Sequence, residues 1–186
     1  MEDKVIIAGS GGQGVLLLGR LIATTGMLSG FNVTWFPSYG AEMRGGTANC
    51  SVVVSSEIVG SPVISRPDTL IVMNCPSFLK FSPRLQEGGL IIMDSSLVGP
   101  EKCRAQDVSL NGVRTIEVPA SEIASELGSV RFANMVLFGA YIKARELSGL
   151  DTAEEALKRT LPERHHSKLP FNIEAIKRGW EFVRTN

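Results

Sequence analysis

The chain has 186 residues, 44% of them hydrophobic and 20% charged, with 19 Lys+Arg against 19 Asp+Glu. That length suits a single domain, residues 1–186, with a sizeable core, and the composition is too apolar for a disordered chain. The even charge balance, the lack of a polybasic tract, and the absence of any apolar run near the roughly 18 residues that span a bilayer argue for a soluble cytoplasmic protein that binds neither nucleic acid nor membrane.

Val5 to Ala8 is an apolar run that reads as a strand, and Gly9-Ser10-Gly11-Gly12-Gln13-Gly14 follows it directly. Val15 to Ser29 then carries helical periodicity up to a stop at Gly30, and Phe31 to Phe36 predicts a second strand. Pro37 to Gly46 is a loop. Thr47 to Ser55 alternates as a strand, and Glu57 to Val59 beyond it suggests a hairpin partner, so the sheet is expected to be mixed. The runs Thr69 to Met73 and Gly89 to Met93 bracket a helical segment near Ser77 to Gln86, the spacing of a βαβ crossover with buried central strands. Val113 to Val118 reads as a strand, and Ala120 to Leu127 as a short helix closed by Gly128.

Asn134 to Leu147 is helical and apolar nearly all round until Lys143, which implies a helix buried on most of its surface or covered by another chain. Thr152 with Glu155 reads as a capping box for a helix that runs to about Thr160 and stops at Pro162. Ile173 to Arg184 predicts the last helix, with Trp180 in its packing stripe. The pattern is that of one α/β domain, Rossmann-like and three-layered, with a mixed, mainly parallel sheet.

Strand, glycine turn and helix form a phosphate-binding layout. Glycines at 9, 11 and 14 satisfy G-x-G-x-x-G, which lets backbone N–H groups at a helix N-terminus face an anion. The acidic residue that bonds a ribose hydroxyl in dinucleotide sites, about 20 residues further on, is missing from Asn32-Val33-Thr34-Trp35-Phe36. Candidate binding residues here are Gly9, Gly11, Gly12, Gln13 and Gly14. The second unusual stretch runs from Ser38 to Thr47. It sets Tyr39, Glu42 and Arg44 among glycines that include Gly45 and Gly46, at the carboxyl end of a predicted strand where open α/β sheets place ligands. A solvated loop with a local Glu42–Arg44 pair is the alternative reading.

Catalytic equipment is sparse. Cys50, Cys75 and Cys103 form no C-x-x-C pair, so this chain alone assembles neither an iron–sulfur cluster nor a structural zinc site, and an odd count is unremarkable in a reducing compartment. His165 and His166 are adjacent and read as surface or helix-end residues. No serine stands in a G-x-S-x-G elbow. No catalytic residue and no metal ligand is assigned.

The Gly9–Gly14 turn, the stretch Pro37-Ser38-Tyr39-Gly40-Ala41-Glu42-Met43-Arg44-Gly45-Gly46, the segment Asn134-Met135-Val136-Leu137-Phe138-Gly139-Ala140 and the ending Asn172-Ile173-Glu174-Ala175-Ile176-Lys177-Arg178-Gly179 together resemble the gamma subunit of 2-oxoacid:ferredoxin oxidoreductases, over essentially the whole chain. The resemblance implies a subunit of an enzyme that oxidatively decarboxylates a 2-oxoacid, 2-oxoglutarate being favoured over pyruvate, branched-chain 2-oxoacids and indolepyruvate, to an acyl-CoA. Electrons would pass to ferredoxin. It also implies catalytic alpha and beta subunits and a ferredoxin-like subunit as partners, with thiamine diphosphate, magnesium and iron–sulfur clusters in them. This chain would carry no cofactor alone and would contribute to the surface facing coenzyme A. The Gly9–Gly14 turn and the Tyr39–Gly46 loop are the segments to which that role carries over. A self-contained NAD(P)- or nucleotide-binding protein is the second expectation.

Overall fold

The computed structural model describes residues 2–38, 47–105 and 108–183, so the loop containing Tyr39, Glu42, Arg44, Gly45 and Gly46 lies outside the described residues. The chain enters β1 (Glu2–Gly9) at once, turns through the glycines into α1 (Val15–Leu28), and continues into β2 (Asn32–Ser38) and β3 (Ala48–Ser55). Then follow β4 (Thr69–Val72), α2 (Cys75–Phe81), β5 (Leu90–Asp94) and β6 (Arg114–Val118), and the chain ends in α3 (Ala120–Glu126), α4 (Ala133–Ala144), α5 (Leu150–Thr160) and α6 (Leu169–Phe182).

The sheet has six strands in the order β2-β3-β1-β4-β5-β6. β1, β4, β5 and β6 are parallel, whereas β3 runs antiparallel to both β1 and β2. β2 therefore points the same way as β1 but lies one strand further out. Every residue of β4 and β5 is buried, as expected of parallel strands covered on both faces. Alternate side chains feed two cores. Val5, Ile7, Val52, Val54, Ile71 and Ile92 pack with α1, α3, α4, α5 and α6, whereas Ile6, Ala8, Leu70, Val72, Ile91 and Met93 pack with Phe78 and Phe81 of α2 and the segment around Val98.

Four sequence expectations change. Glu57 to Val59 forms no strand, because β3 already has β1 on one side and β2 on the other, with Ser55 opposite both Glu2 and Asn32. The antiparallel hairpin joins β2 to β3 instead. The capping box at Thr152 and Glu155 does not form. α5 starts earlier with Gly149 at its N-cap, which puts Thr152 inside the first turn, and Glu155 pairs with Arg159 at 2.7 Å. α6 starts at Leu169 and not Ile173, since Pro170 falls in the first turn, where its missing N–H costs nothing. Last, the two readings of the apolar helix narrow to the first, since every residue of α4 from Ala133 to Ile142 is buried within the chain.

α4 and α6 cross through glycines. A Cβ on Gly139 would lie 2.0 Å from the Ile176 carbonyl oxygen, and one on Gly179 would lie 1.9 Å from that of Val136. Trp180 packs beside this crossing, with the Lys143 ammonium 4.9 Å from its ring centre. At the far end of α4 the carboxylate of Asp3, 2% exposed, accepts hydrogen bonds from Tyr141 (2.8 Å) and Thr69 (2.7 Å) and pairs with Arg145 at 3.4 Å. Burial raises the pKa of Asp3 above the usual carboxylate value, against the lowering effects of Arg145, Thr69 and Tyr141. Burial, then the Asp3 charge and hydrogen bond, hold the Tyr141 phenol well above its ordinary value.

Two outcomes are expected. Gly139→Ala and Gly179→Ala drive a methyl group into backbone and should each destabilise the chain by about 3 kcal/mol or more in urea unfolding, whereas Gly60→Ala, in open space, should change little. The folded pKa of Tyr141 exceeds its unfolded value, so its contribution to stability is complete below about pH 10 and is lost as pH rises towards the folded pKa. Tyr141→Phe should flatten the alkaline fall in unfolding free energy, and should cost about 1–3 kcal/mol at neutral pH because Asp3 loses a donor.

Candidate functional site

The turn after β1 is closed by the Gln13 N–H donating to the Ser10 carbonyl at 3.2 Å. Gly12 and Gly14 have φ of +91° and +76°, and a Cβ on Gly14 would also meet the Asn134 side chain at 2.3 Å. The Gln13 amide is spent internally: its Oε1 accepts from the Ser10 N–H at 2.6 Å, and its Nε2 donates to the Met73 carbonyl at 2.9 Å. Asn74, the N-cap of α2, braces the same turn, donating to Ser10 Oγ at 2.6 Å while its Oδ1 accepts from the Ser77 N–H at 2.9 Å. Of the sequence candidates, Gln13 thus serves as a brace. The glycines are left to present backbone.

No side-chain hydrogen bond caps the N-terminus of α1. A hollow of about 270 Å³ lies in front of it, bounded by the glycines, the first residues of α1 and Ala48. Leu17 joins this hollow to a larger cleft of about 470 Å³, whose walls include Leu127, Phe132, Met135, Leu161 and Phe171. Arg131, His165 and Lys168 also line the cleft, and no described acidic residue does. Arg131 reaches as well into a smaller cavity of about 180 Å³ shared with Gly12, Gln13 and Leu97. The surface running outward from the turn is thus apolar at its base and cationic at its rim, with helix N–H groups at one end. Such a surface suits a ligand with phosphate groups and an uncharged arm.

Sequence reasoning did not single out Asn134. It is 3% exposed, donates through Nδ2 to the Gly14 carbonyl at 3.3 Å, and its Oδ1 has no partner among the described residues. A lone amide at the start of an otherwise apolar helix was the available signal. His166 contacts the Leu161 carbonyl at 2.9 Å, and among the described residues no group of three or more His, Cys, Asp or Glu is placed to hold a metal ion. Cys75 and Cys103, 28 residues apart, are joined in a disulfide that spacing alone did not suggest, and burial pushes the thiol of the remaining Cys50 up to about 12.

The strand register relates the two glycine-rich stretches. Gly9 lies opposite Ala48 and Ser38 opposite Asn49, so the residues flanking the Tyr39–Gly46 loop emerge at the edge of the sheet where the glycine turn sits. The same register bears on dinucleotide binding. β3 stands between β1 and β2, which moves the end of β2 out by one more strand spacing, about 4.8 Å, from the place where a ribose-binding acid is needed.

Comparison with known proteins follows the same lines. Residues 4–182 match the family model described as pyruvate ferredoxin/flavodoxin oxidoreductase. The chain is 39% identical to the ketoisovalerate oxidoreductase subunit VorA of Methanothermobacter thermautotrophicus, covering all of this chain but 37% of that protein. It is 34% identical to the 2-oxoglutarate synthase subunit KorC of Methanothermobacter marburgensis, covering 98% of this chain and 97% of KorC. The fold superposes with a TM-score of 0.83 and 26% identity on the 2-oxoglutarate:ferredoxin oxidoreductase from Magnetococcus marinus, solved with 2-oxoglutarate, coenzyme A and succinyl-CoA bound, over 97% of this chain and 31% of that one.

The turn makes its own prediction. Gly14→Ala should cost about 1–2 kcal/mol for the left-handed backbone and about 1 kcal/mol more for turning Asn134 away from the Gly14 carbonyl. Gly12→Ala should cost only the backbone part. In a double-mutant cycle, Asn134→Ala should absorb the second part of the Gly14→Ala loss and none of the first.

Proposed function

This chain belongs to the pyruvate ferredoxin/flavodoxin oxidoreductase family, and from that premise we propose that it is the gamma-type subunit of a multi-subunit 2-oxoacid:ferredoxin oxidoreductase and lends its glycine-turn edge to coenzyme A. One observation carries this reading: an uncapped helix N-terminus opens onto an apolar cleft with a cationic rim. The N–H groups of α1 and the guanidinium of Arg131 suit the phosphates, and the walls from Leu17 to Phe171 suit the pantetheine arm and acyl group. Arg44, on a loop whose flanks leave the same edge, is proposed as a second phosphate or partner contact, with Glu42 orienting it and Tyr39, Gly45 and Gly46 shaping the loop.

Coenzyme A enters as substrate of the assembled enzyme. Catalytic alpha and beta subunits and a ferredoxin-like subunit would supply thiamine diphosphate, magnesium and iron–sulfur clusters, with ferredoxin as electron acceptor and the cytoplasm as the compartment. In that division this chain binds and orients, and the redox chemistry happens elsewhere. 2-Oxoglutarate is the proposed 2-oxoacid. The 34% identity to KorC supports it, and the 39% identity to VorA keeps a branched-chain 2-oxoacid as the main competitor.

The test is copurification from the native cell, followed by dye or ferredoxin reduction with each candidate 2-oxoacid and coenzyme A. In the reconstituted complex, Arg44→Ala should raise the apparent KM for coenzyme A by about tenfold, the loss of one charge-assisted contact, and Glu42→Ala by less. Unchanged assembly, KM and turnover in both variants would remove the loop from the site. Calorimetric binding of NAD or NADP by the isolated chain, tighter than any binding of coenzyme A, would favour a self-contained dinucleotide protein instead.

A further inference from the structure

We propose that Cys75 and Cys103 form a reversible dithiol–disulfide pair that sets how firmly the segment 95–105 and the glycine turn are held. Cys75 directly follows Asn74, the residue that caps α2 and bonds Ser10, and Met73 before it accepts from Gln13. The bond thus anchors at the residue next to the braces of the turn. Its other end lies on a segment whose Leu97 shares a cavity with Gly12 and Gln13, and Cys75 Sγ itself lies 3.5 Å from the Leu97 carbonyl.

The segment has its own means of staying folded. Val98, Cys103 and Ala105 are buried against Phe78 and Phe81, and backbone hydrogen bonds from Val98 to Asp94, Cys103 to Gly99 and Ala105 to Pro100 are 2.8–2.9 Å long. Opening the disulfide therefore loosens the segment without unfolding the domain. In the reducing compartment proposed above, disulfides are mostly transient or redox-sensing, and a bond that the fold does not require is suited to that role.

Access to the two sulfurs is unequal. Cys103 is 8% exposed, whereas Cys75, the first residue of α2, is half-buried. With a low-molecular-weight disulfide as oxidant, the Cys75 thiolate attacks one of its sulfurs, forms a mixed disulfide and releases one thiol. The Cys103 thiolate then attacks Cys75 Sγ and releases the second. Two electrons and two protons pass from the pair to the oxidant, and a dithiol reductant reverses both steps. Cys50 stays out of the exchange, being buried with its thiol held protonated.

The experiment uses the purified full chain, incubated natively with reduced or oxidised glutathione, alkylated and read by mass spectrometry. Cys75 and Cys103 should become labelled together in the reduced buffer and protected together in the oxidised one, with circular dichroism unchanged. Amide hydrogen exchange over residues 10–13 and 95–105 should quicken by about threefold to tenfold on reduction, the signature of a local opening. Cys103→Ser should reproduce the reduced pattern, and the wild-type comparison decides the matter alone if that variant misfolds. A pair that yields to reductant only after unfolding, one that never closes in oxidised glutathione, or exchange at residues 10–13 indifferent to its state would overturn the proposal. None of these readouts depends on coenzyme A, so they stand or fall apart from the functional reading above.

Discussion

Gly139 lying against Ile176 and Gly179 against Val136 let α4 and α6 approach backbone to backbone, and both ends of β1 depend on the position this gives to α4. At one end of the helix Asn134 reaches the Gly14 carbonyl, and at the other Tyr141 and Arg145 close over Asp3. A side chain at the crossing would push α4 off α6, and the first strand would lose its hold at the glycine turn and at its opposite end together. The small residues that look like gaps in an apolar helix are the reason its ends are in register with the sheet.

The second constraint is the insertion of β3 between β1 and β2. In a dinucleotide fold the strand after the first helix lies beside the first strand and carries its acid to the ribose. Here that neighbouring place belongs to an antiparallel strand, and β2 is an outer strand ending in Ser38. The lack of an acid at the end of β2 and the displacement of β2 are two sides of one arrangement. A glycine turn of this layout can therefore persist without the geometry of dinucleotide recognition.

Much of this was legible in the sequence. The strand–glycine–helix opening, the buried runs of β4 and β5 and the short helix stopped at Gly128 all follow from local periodicity and turn residues, which act over a few positions, whereas the mixed sheet was expected from a Glu57–Val59 hairpin and comes instead from β3 lying between β1 and β2. What was not legible depends on distant partners. Glu57 to Val59 has strand composition but no free edge to join, and Thr152 has a capping sequence but lies inside a helix that the packing of Leu150 starts earlier. The apolar surface of α4 admitted two explanations until the chain's own helices were seen to cover it. Asn134, 120 residues from Gly14, and Cys103, 28 from Cys75, meet their partners only through the fold.

The glycine turn is held from within by three amides: Gln13 on Ser10 and Met73, Asn74 on Ser10, and Asn134 on Gly14. With these side chains spent on geometry, the turn offers a ligand its peptide groups and the positive end of α1, which cost no reorganisation when an anion arrives. The cleft beside it carries the cations Arg131 and Lys168, with Ser129 and His165 also in its lining. An edge so constructed presents fixed positive charge and peptide N–H groups, the features that hold and orient an anion.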